Sequence, residues 1–271
     1  MDTLQATLLG ILQGVTEFLP ISSSGHLAIV QHYWGIKKSQ ILFDVLVHAG
    51  TLGSVFVFFR KDIFLMLVSL VKPGKKDEES IKYRQLTLSV LVGTIPTCLI
   101  GLVFYRIKEV FFLNVFFPSS MLILTGIFLL IGEKIYLKNP SPREKIKLSD
   151  ALFVGFMQGI ALIPGISRSG ITISSALSRG VKRELSFLYS FLLFIPAATG
   201  ASILEGREIA LKPYKLSFPI LFGTLIAFLV GLLSLFALKK VLQRKKLTLF
   251  SFYCWIVGGG TILLEIIKMM K

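Results

Sequence analysis

The residues able to do chemistry in this 271-residue chain gather in two short segments. The first reads Gln13-Gly-Val-Thr-Glu17-Phe-Leu-Pro-Ile-Ser22-Ser23-Ser24-Gly25-His26, the second Pro164-Gly165-Ile-Ser167-Arg168-Ser169-Gly170. Gln13 and Glu17 are four apart, so they share one face of a helix. Pro20 favours ending that helix before the serines. Ser22, Ser23 or Ser24 can then cap a new helix whose first turn holds His26. Capping accounts for at least one of the three serines without any chemistry. In the second segment Pro164-Gly165 makes the break, Ser167 caps, and Arg168 projects from the new N-terminus. Each N-terminus offers free backbone N–H groups and the positive end of a dipole. The serine hydroxyls add donors, and Arg168 adds a fork that matches phosphate oxygens. Together they describe an anion site, most naturally for phosphate or diphosphate, with Glu17 and His26 beside it.

The elements that must position these residues are membrane helices. Hydrophobic residues make up 54% of the chain without counting glycine, against about 45–50% with glycine in soluble domains. Residues 85–105 and 217–238 carry no charge, and a span needs about 20 mostly apolar residues. The pattern predicts an all-α polytopic protein with six spans, near 41–59, 85–105, 117–136, 185–204, 217–238 and 249–267. Two further apolar stretches, 3–34 and 149–180, are broken by Pro, Ser and Gly into halves too short to cross. They read as re-entrant helical hairpins, which are tolerated where buried in protein or facing water. Glu17 and Arg168 therefore lie at membrane depth, where ionisable groups mark function; the competing reading for Arg168 is snorkelling to the interface.

The net charge of +15 sits mostly in short loops. That distribution orients membrane helices and meets anionic headgroups, and it argues against a nucleic-acid partner. Arg60, Lys61, Lys72, Lys75, Lys76, Lys82 and Arg84 follow the first span. Lys138, Arg143, Lys145 and Lys147 follow the third, and Lys239, Lys240, Arg244, Lys245 and Lys246 the fifth. The alternate loops are poorer, with Arg106 and Lys108 in one and Arg207, Lys212 and Lys215 in the other. The positive-inside rule places the rich loops in the cytoplasm. Both termini are then outside, the first hairpin enters from outside, and the second enters from inside. No basic residue precedes the first apolar stretch, so no cleaved signal peptide is expected. Cys98 and Cys254 fall within spans and read as small buried hydrophobes. The run Lys75 to Glu79 reads as a solvated loop.

Shifting the chain by 145 residues pairs Gly10 with Gly155, Gln13 with Gln158, Gly14 with Gly159, Ile21 with Ile166, Ser22 with Ser167, Ser24 with Ser169 and Gly25 with Gly170. The reading is one membrane domain, 1–271, built of repeats at about 1–136 and 149–271. Each repeat is a hairpin plus three spans, and the odd span count inverts the second. Such repeats place a site near the midplane, where broken helices meet.

These paired motifs resemble those of the bacterial undecaprenyl-diphosphate phosphatases, the enzymes linked to bacitracin resistance. Phe43-Asp-Val-Leu-Val-His48-Ala-Gly-Thr-Leu52 and the segment from Ser186 to Pro196 also match, so the resemblance covers most of the chain. It implies hydrolysis of undecaprenyl diphosphate to undecaprenyl phosphate and inorganic phosphate, recycling the lipid carrier of cell-wall synthesis in the bacterial inner membrane. By motif position it implies catalytic roles for Glu17, Ser23, His26 and Arg168. Substrate binding would fall to Gln13, Ser22, Ser24, Gly25, Gly165, Ser167, Ser169 and Gly170. Where the family often has a glutamate, this chain has Gln13, which cannot be a base or carry charge. The family's Mg²⁺ or Ca²⁺ is then expected to be held mainly through the substrate diphosphate, with no protein-built metal site and no organic cofactor.

The nucleophile stays open between Ser23, His26 and water. Hydrolysis is expected on the outer side, and a homodimer is left open. The rival reading is a transporter or flippase for an anion or lipid phosphate, which would use the same helix termini and Arg168. Of the other histidines, His32 beside Trp34 reads as interfacial. His48 stands between a packed polar residue and a pocket-lining one. The many phenylalanines read as lipid-facing or core residues.

Overall fold

The computed structural model describes residues 1–35, 41–71, 77–107, 114–210, 216–244 and 247–270. The loop charges Lys72, Lys75, Lys76, Lys108, Lys212, Lys215, Lys245 and Lys246 lie outside the described residues, as does the side chain of Arg244. Eleven helices are present among the described residues, and no strand. They are α1 (Thr3–Thr16), α2 (Ser23–Tyr33), α3 (Ile41–Phe58), α4 (Arg60–Val71), α5 (Glu78–Ile107), α6 (Phe116–Leu137), α7 (Leu148–Ile160), α8 (Arg168–Ser178), α9 (Arg183–Ala210), α10 (Phe218–Arg244) and α11 (Thr248–Met269).

Six of these, α3, α5, α6, α9, α10 and α11, are long and apolar enough to cross a membrane. They overlap the six expected spans, but α5, α9 and α10 run further, so Lys82, Arg84, Arg106, Arg207, Lys239 and Lys240 are helical rather than in loops; the uncharged runs mark only the apolar middle of each helix. The chain is a multi-pass membrane protein. Its lipid-facing surface follows helical spacing: on α5 the exposed apolar residues Leu88, Leu91, Ile95, Leu99 and Leu102 recur every three or four positions. On α10, Leu221, Leu225, Leu229 and Leu233 do the same.

Three further expectations need correction. Residues 60–71 form helix α4 rather than a loop, because behind the charged start Arg60-Lys61-Asp62 the segment is almost wholly apolar. Its first turn is tied down where the Tyr83 hydroxyl of α5 donates to Asp62 at 2.9 Å. Glu78 and Glu79 belong to the first turn of α5, where acidic side chains favour the helix dipole; they are not loop residues. Cys98 is exposed while Cys254 is buried, since Cys98 falls on the outward face of α5 beside Leu99.

The four short helices occupy the broken stretches. α1 has 14 residues, α2 11, α7 13 and α8 11, each shorter than a bilayer requires. α1 lies along α10 and α7 along α5. Glycine lets the backbones touch in both places. A Cβ on Gly10 would strike the Gly223 carbonyl, and one on Gly155 would strike the Gly93 carbonyl. Hydroxyls stitch the seams: Thr97 donates to the Gly155 carbonyl at 2.7 Å, and Ser54 of α3 to the Phe228 carbonyl at 2.6 Å.

The core beneath the hairpins is aromatic. Phe191 of α9 packs against Phe18, Phe59 and Phe187 with ring centroids 5.6, 5.8 and 5.0 Å apart. Phe18 is fully buried. It adjoins Glu17, so this packing fixes where the carboxylate can point.

At one end of the bundle two buried carboxylates hold arginines. Asp150 receives Arg143 at 2.9 Å and Arg179 at 3.0 Å. Glu133 receives both ends of the Arg183 fork, at 3.0 and 2.6 Å. Arg143 also pairs through its backbone with Gly180 and Lys182, clasping the segment before α7 to the one after α8.

Candidate active site

The breaks between α1 and α2 and between α7 and α8 form as their sequences require. α1 ends at Thr16, with Glu17 as its C-cap. Ser22 then caps α2, its Oγ accepting from the Gly25 N–H at 3.2 Å. Ser22 has φ 69° and ψ 102°, a strained setting for a residue with a side chain, of the sort that gathers at functional sites. The strained turn lets the Ser22 carbonyl accept from the His26 ring at 2.8 Å. At the second break, Ser167 caps α8 by accepting from the Gly170 N–H at 3.1 Å. The Ser22 and Ser24 hydroxyls are 3.3 Å apart, as are those of Ser167 and Ser169.

The tips touch. Ser24 Oγ accepts from the Gly165 N–H at 3.4 Å, and Ser169 Oγ donates to the Leu19 carbonyl at 3.2 Å. Gly165 has φ +94°, which favours glycine, and a Cβ on Gly25 would lie 3.1 Å from Gly165 Cα. Thr125 of α6 holds the second tip from outside, donating to the Gly165 carbonyl at 2.9 Å and accepting from the Ser167 N–H at 3.0 Å.

Glu17 is the centre of the cluster. Its Oε2 accepts from the Ser23 hydroxyl at 2.5 Å and from the Gln13 amide at 3.1 Å. Its Oε1 faces Arg168 at 3.4 Å. A contact this short between a hydroxyl and a carboxylate is charge-assisted. It points the Ser23 proton at a base and leaves the Oγ lone pairs turned outward. Arg168 is seated on aromatic faces, its guanidinium carbon 3.7 Å from the Phe194 centroid and 5.2 Å from that of Phe191. Arg168 Nε and Nη1 have no partner among the described residues, and neither does Gln13 Oε1. Unsatisfied buried donors cost free energy, and the two on Arg168 suit an anion.

His26 is held at both nitrogens. A carbonyl only accepts, so Nδ1 carries the hydrogen that meets Ser22. Nε2 is 2.9 Å from the Tyr253 hydroxyl of α11, whose ring stacks on the imidazole. In its neutral form His26 accepts there from Tyr253 and is not the base in contact with Ser23; Glu17 is.

The cluster brings together Gln13, Glu17, Ser23 and Arg168 directly, with Ser22, Ser24, Gly25, His26, Gly165, Ser167, Ser169 and Gly170 forming its walls. Two neighbours were not singled out by the sequence, and a third, His48, stood there between a packed polar residue and a pocket-lining one. Tyr253 and Phe194 come from distant helices, and His48 of α3 places Nε2 3.8 Å from Glu17 Oε2. The sequence signal for His48 was its place in a matching motif at mid-span; Tyr253 had none. His32 lies apart, paired with Glu265 at 3.2 Å.

Residues 6–260 match the family described as bacitracin resistance protein BacA. The chain belongs to this family. Among curated relatives it is similar to the undecaprenyl-diphosphatase of Desulforapulum autotrophicum, with 41% identity over 95% of this chain and 96% of the relative. It is likewise similar to that of Alkaliphilus metalliredigens, 41% identical over 98% of this chain and all of the relative. The undecaprenyl-diphosphatase of Syntrophotalea carbinolica is 42% identical over 96% and 97%. The family match thus runs from residue 6 to 260, and these relatives align with 95–98% of the chain.

Proposed function

We propose that this protein hydrolyses undecaprenyl diphosphate to undecaprenyl phosphate and inorganic phosphate, recycling the lipid carrier and so conferring bacitracin resistance. The observation that carries the reading is the 2.5 Å contact of Ser23 with Glu17, beside an arginine with two unpartnered nitrogens. Near-full-length similarity to proteins named undecaprenyl-diphosphatase supports the substrate. A carrier needs the arginine and the helix termini, but has no use for a hydroxyl aimed at a carboxylate.

Phosphoryl transfer rests on positioning and charge stabilisation. Arg168 and the N–H groups at the starts of α2 and α8 hold the diphosphate. Ser23 Oγ attacks the terminal phosphorus as its proton passes to Glu17 Oε2. The bridging P–O bond breaks, undecaprenyl phosphate leaves, and phosphoserine remains. Water then attacks that phosphorus, giving its hydroxyl to the phosphate and its proton to Ser23. Gln13 steadies Glu17, and His26 with Tyr253 fixes the strained turn through Ser22. A protein-held Mg²⁺ or Ca²⁺ does not fit here: Arg168, Ser23 and Gln13 already take both oxygens of Glu17. The cation travels on the diphosphate, and no step runs through it.

The inverted repeat belongs to the same reading. α1 against α10 answers α7 against α5, and the caps Ser22 to Gly25 and Ser167 to Gly170 answer each other. This supports two re-entrant hairpins entering from opposite sides, repeats at about 1–136 and 149–271, and a site opening to the outer face of the inner membrane. The test is phosphate release from undecaprenyl diphosphate by purified protein, followed by acid quench and mapping of the phosphorylated residue. Phosphate on Ser23 is expected. Phosphate on His26, or release with no phospho-enzyme, would replace the serine step; no release at all would turn the reading to a carrier, measured as flux into liposomes.

A further inference from the structure

We propose that His48 is the proton exit of this site, a positioning and proton-accepting partner of Glu17. The inference rests on the phosphatase reading. Hydrolysis of a fully ionised diphosphate monoester, charge −3, gives two phosphate dianions when the pH is above their second ionisation near about 6. Charge balance then requires one proton to leave per turnover. The structure puts that proton first on Glu17, which is shielded: its side chain is 7% exposed. Arg168 on one oxygen of Glu17 is a donor and cannot accept a proton, and neither can the Gln13 amide on the other.

His48 can accept it. Its Nδ1 is 2.7 Å from the Asp44 carbonyl, which only accepts, so Nδ1 carries the hydrogen and the Nε2 lone pair is free. Nε2 is 3.8 Å from Glu17 Oε2. This is an ion-pair distance that one bridging water, or a small rotation on substrate binding, converts to a hydrogen bond. The His48 side chain is 40% exposed, against 14% for Arg168, so the rest of the protein does not enclose its ring as it encloses Glu17 and Arg168. The transfer balances: Glu17 Oε2–H breaks, Nε2–H forms, and the imidazolium hands its proton outward while Glu17 regains its charge. Three carboxylates among the described residues face the His48 imidazole. Glu17 faces it from the α1–α2 turn, Asp44 from its own helix and Glu205 from α9; the facing stretch of α10, within 217–238, is uncharged. His26 cannot serve instead, because Ser22 and Tyr253 occupy both its nitrogens.

The experiment is steady-state phosphate release from undecaprenyl diphosphate across a pH series, for wild type, His48→Ala and His48→Gln, with and without added imidazole. In His48→Ala we expect kcat to fall about 10²-fold with KM unchanged, because the diphosphate is held elsewhere. The neutral-pH limb of the kcat profile should disappear, and imidazole entering the exposed gap should restore much of the rate. Glutamine keeps bulk and polarity but takes no proton, so His48→Gln should be as slow as His48→Ala. Unchanged kcat and pH profile in both variants would overturn the proposal alone. So would a loss that glutamine repairs, or one that imidazole does not restore, since either marks a packing role. Absence of release from folded wild-type protein would overturn the phosphatase reading and this inference with it.

Discussion

Ser23 and Glu17 touch at 2.5 Å, and the roles assigned to them are separable by substitution. Ser23→Ala removes the attacking oxygen while leaving the Ser22 cap and the turn intact. It should lower kcat by about 10³-fold or more and abolish any phospho-enzyme. Glu17→Gln is nearly isosteric, so its cost should be chemical, about 10²–10⁴-fold in kcat. Arg168→Lys keeps the charge but loses the fork and the stacking on Phe194. It should therefore raise KM as well as lower kcat, read from the same kinetics. Glu17, Ser23 and Arg168 were legible in the sequence because charged or hydroxyl groups in an apolar stretch have few other reasons to be there. For His48 the choice between packing and pocket stayed open, and Tyr253 gave no signal, because their meaning comes from contacts 31 and 227 positions away along the chain. Spacing rules reach only a turn or two.

Helix by helix, the site is held by close backbone approach rather than by bulk. Gly155 against the Gly93 carbonyl leaves no room for a Cβ. Gly155→Val should push α7 off α5 and lower stability by about 1–3 kcal/mol, read as a lower Tm in detergent. By contrast Gly260, whose Cβ would meet nothing within 4 Å, should accept alanine without loss of Tm. The six long helices were legible because an uncharged run of span length has one physical reading. The breaks between the short helices were legible from proline and serine chemistry. α4 was not, because Arg60, Lys61 and Asp62 head its sequence and a charge-based reading places them in a loop. Cys98 was misjudged for a related reason: hydropathy identifies a span without saying which of its faces meets lipid.

Across the whole molecule, the ion pairs at the Asp150 end tie α7 and α8 together and so set where Arg168 stands. Burial pushes the Asp150 carboxyl up, but the hydrogen bonds from Arg143, Arg179 and the Lys147 N–H outweigh it, and the net is a pKa below the usual value. A lowered carboxylate stabilises the fold above the unfolded-state value of about 3.9 and loses that contribution as pH falls through its lower folded value. Asp150→Asn should flatten the fall of Tm below about pH 4 and lower Tm at neutral pH, seen in thermal unfolding from pH 3 to 8. The seven shared positions were visible in the sequence, but that α1 lies along α10 and α7 along α5 emerges only in three dimensions. The central claim is that the meeting hairpins form a diphosphate-cleaving site. Its most direct test is phosphate release from undecaprenyl diphosphate by purified wild-type protein beside Glu17→Ala and Arg168→Ala. The account predicts release by the wild type and its loss in both variants with their Tm kept; release that survives in either folded variant, or none from the wild type, would contradict it.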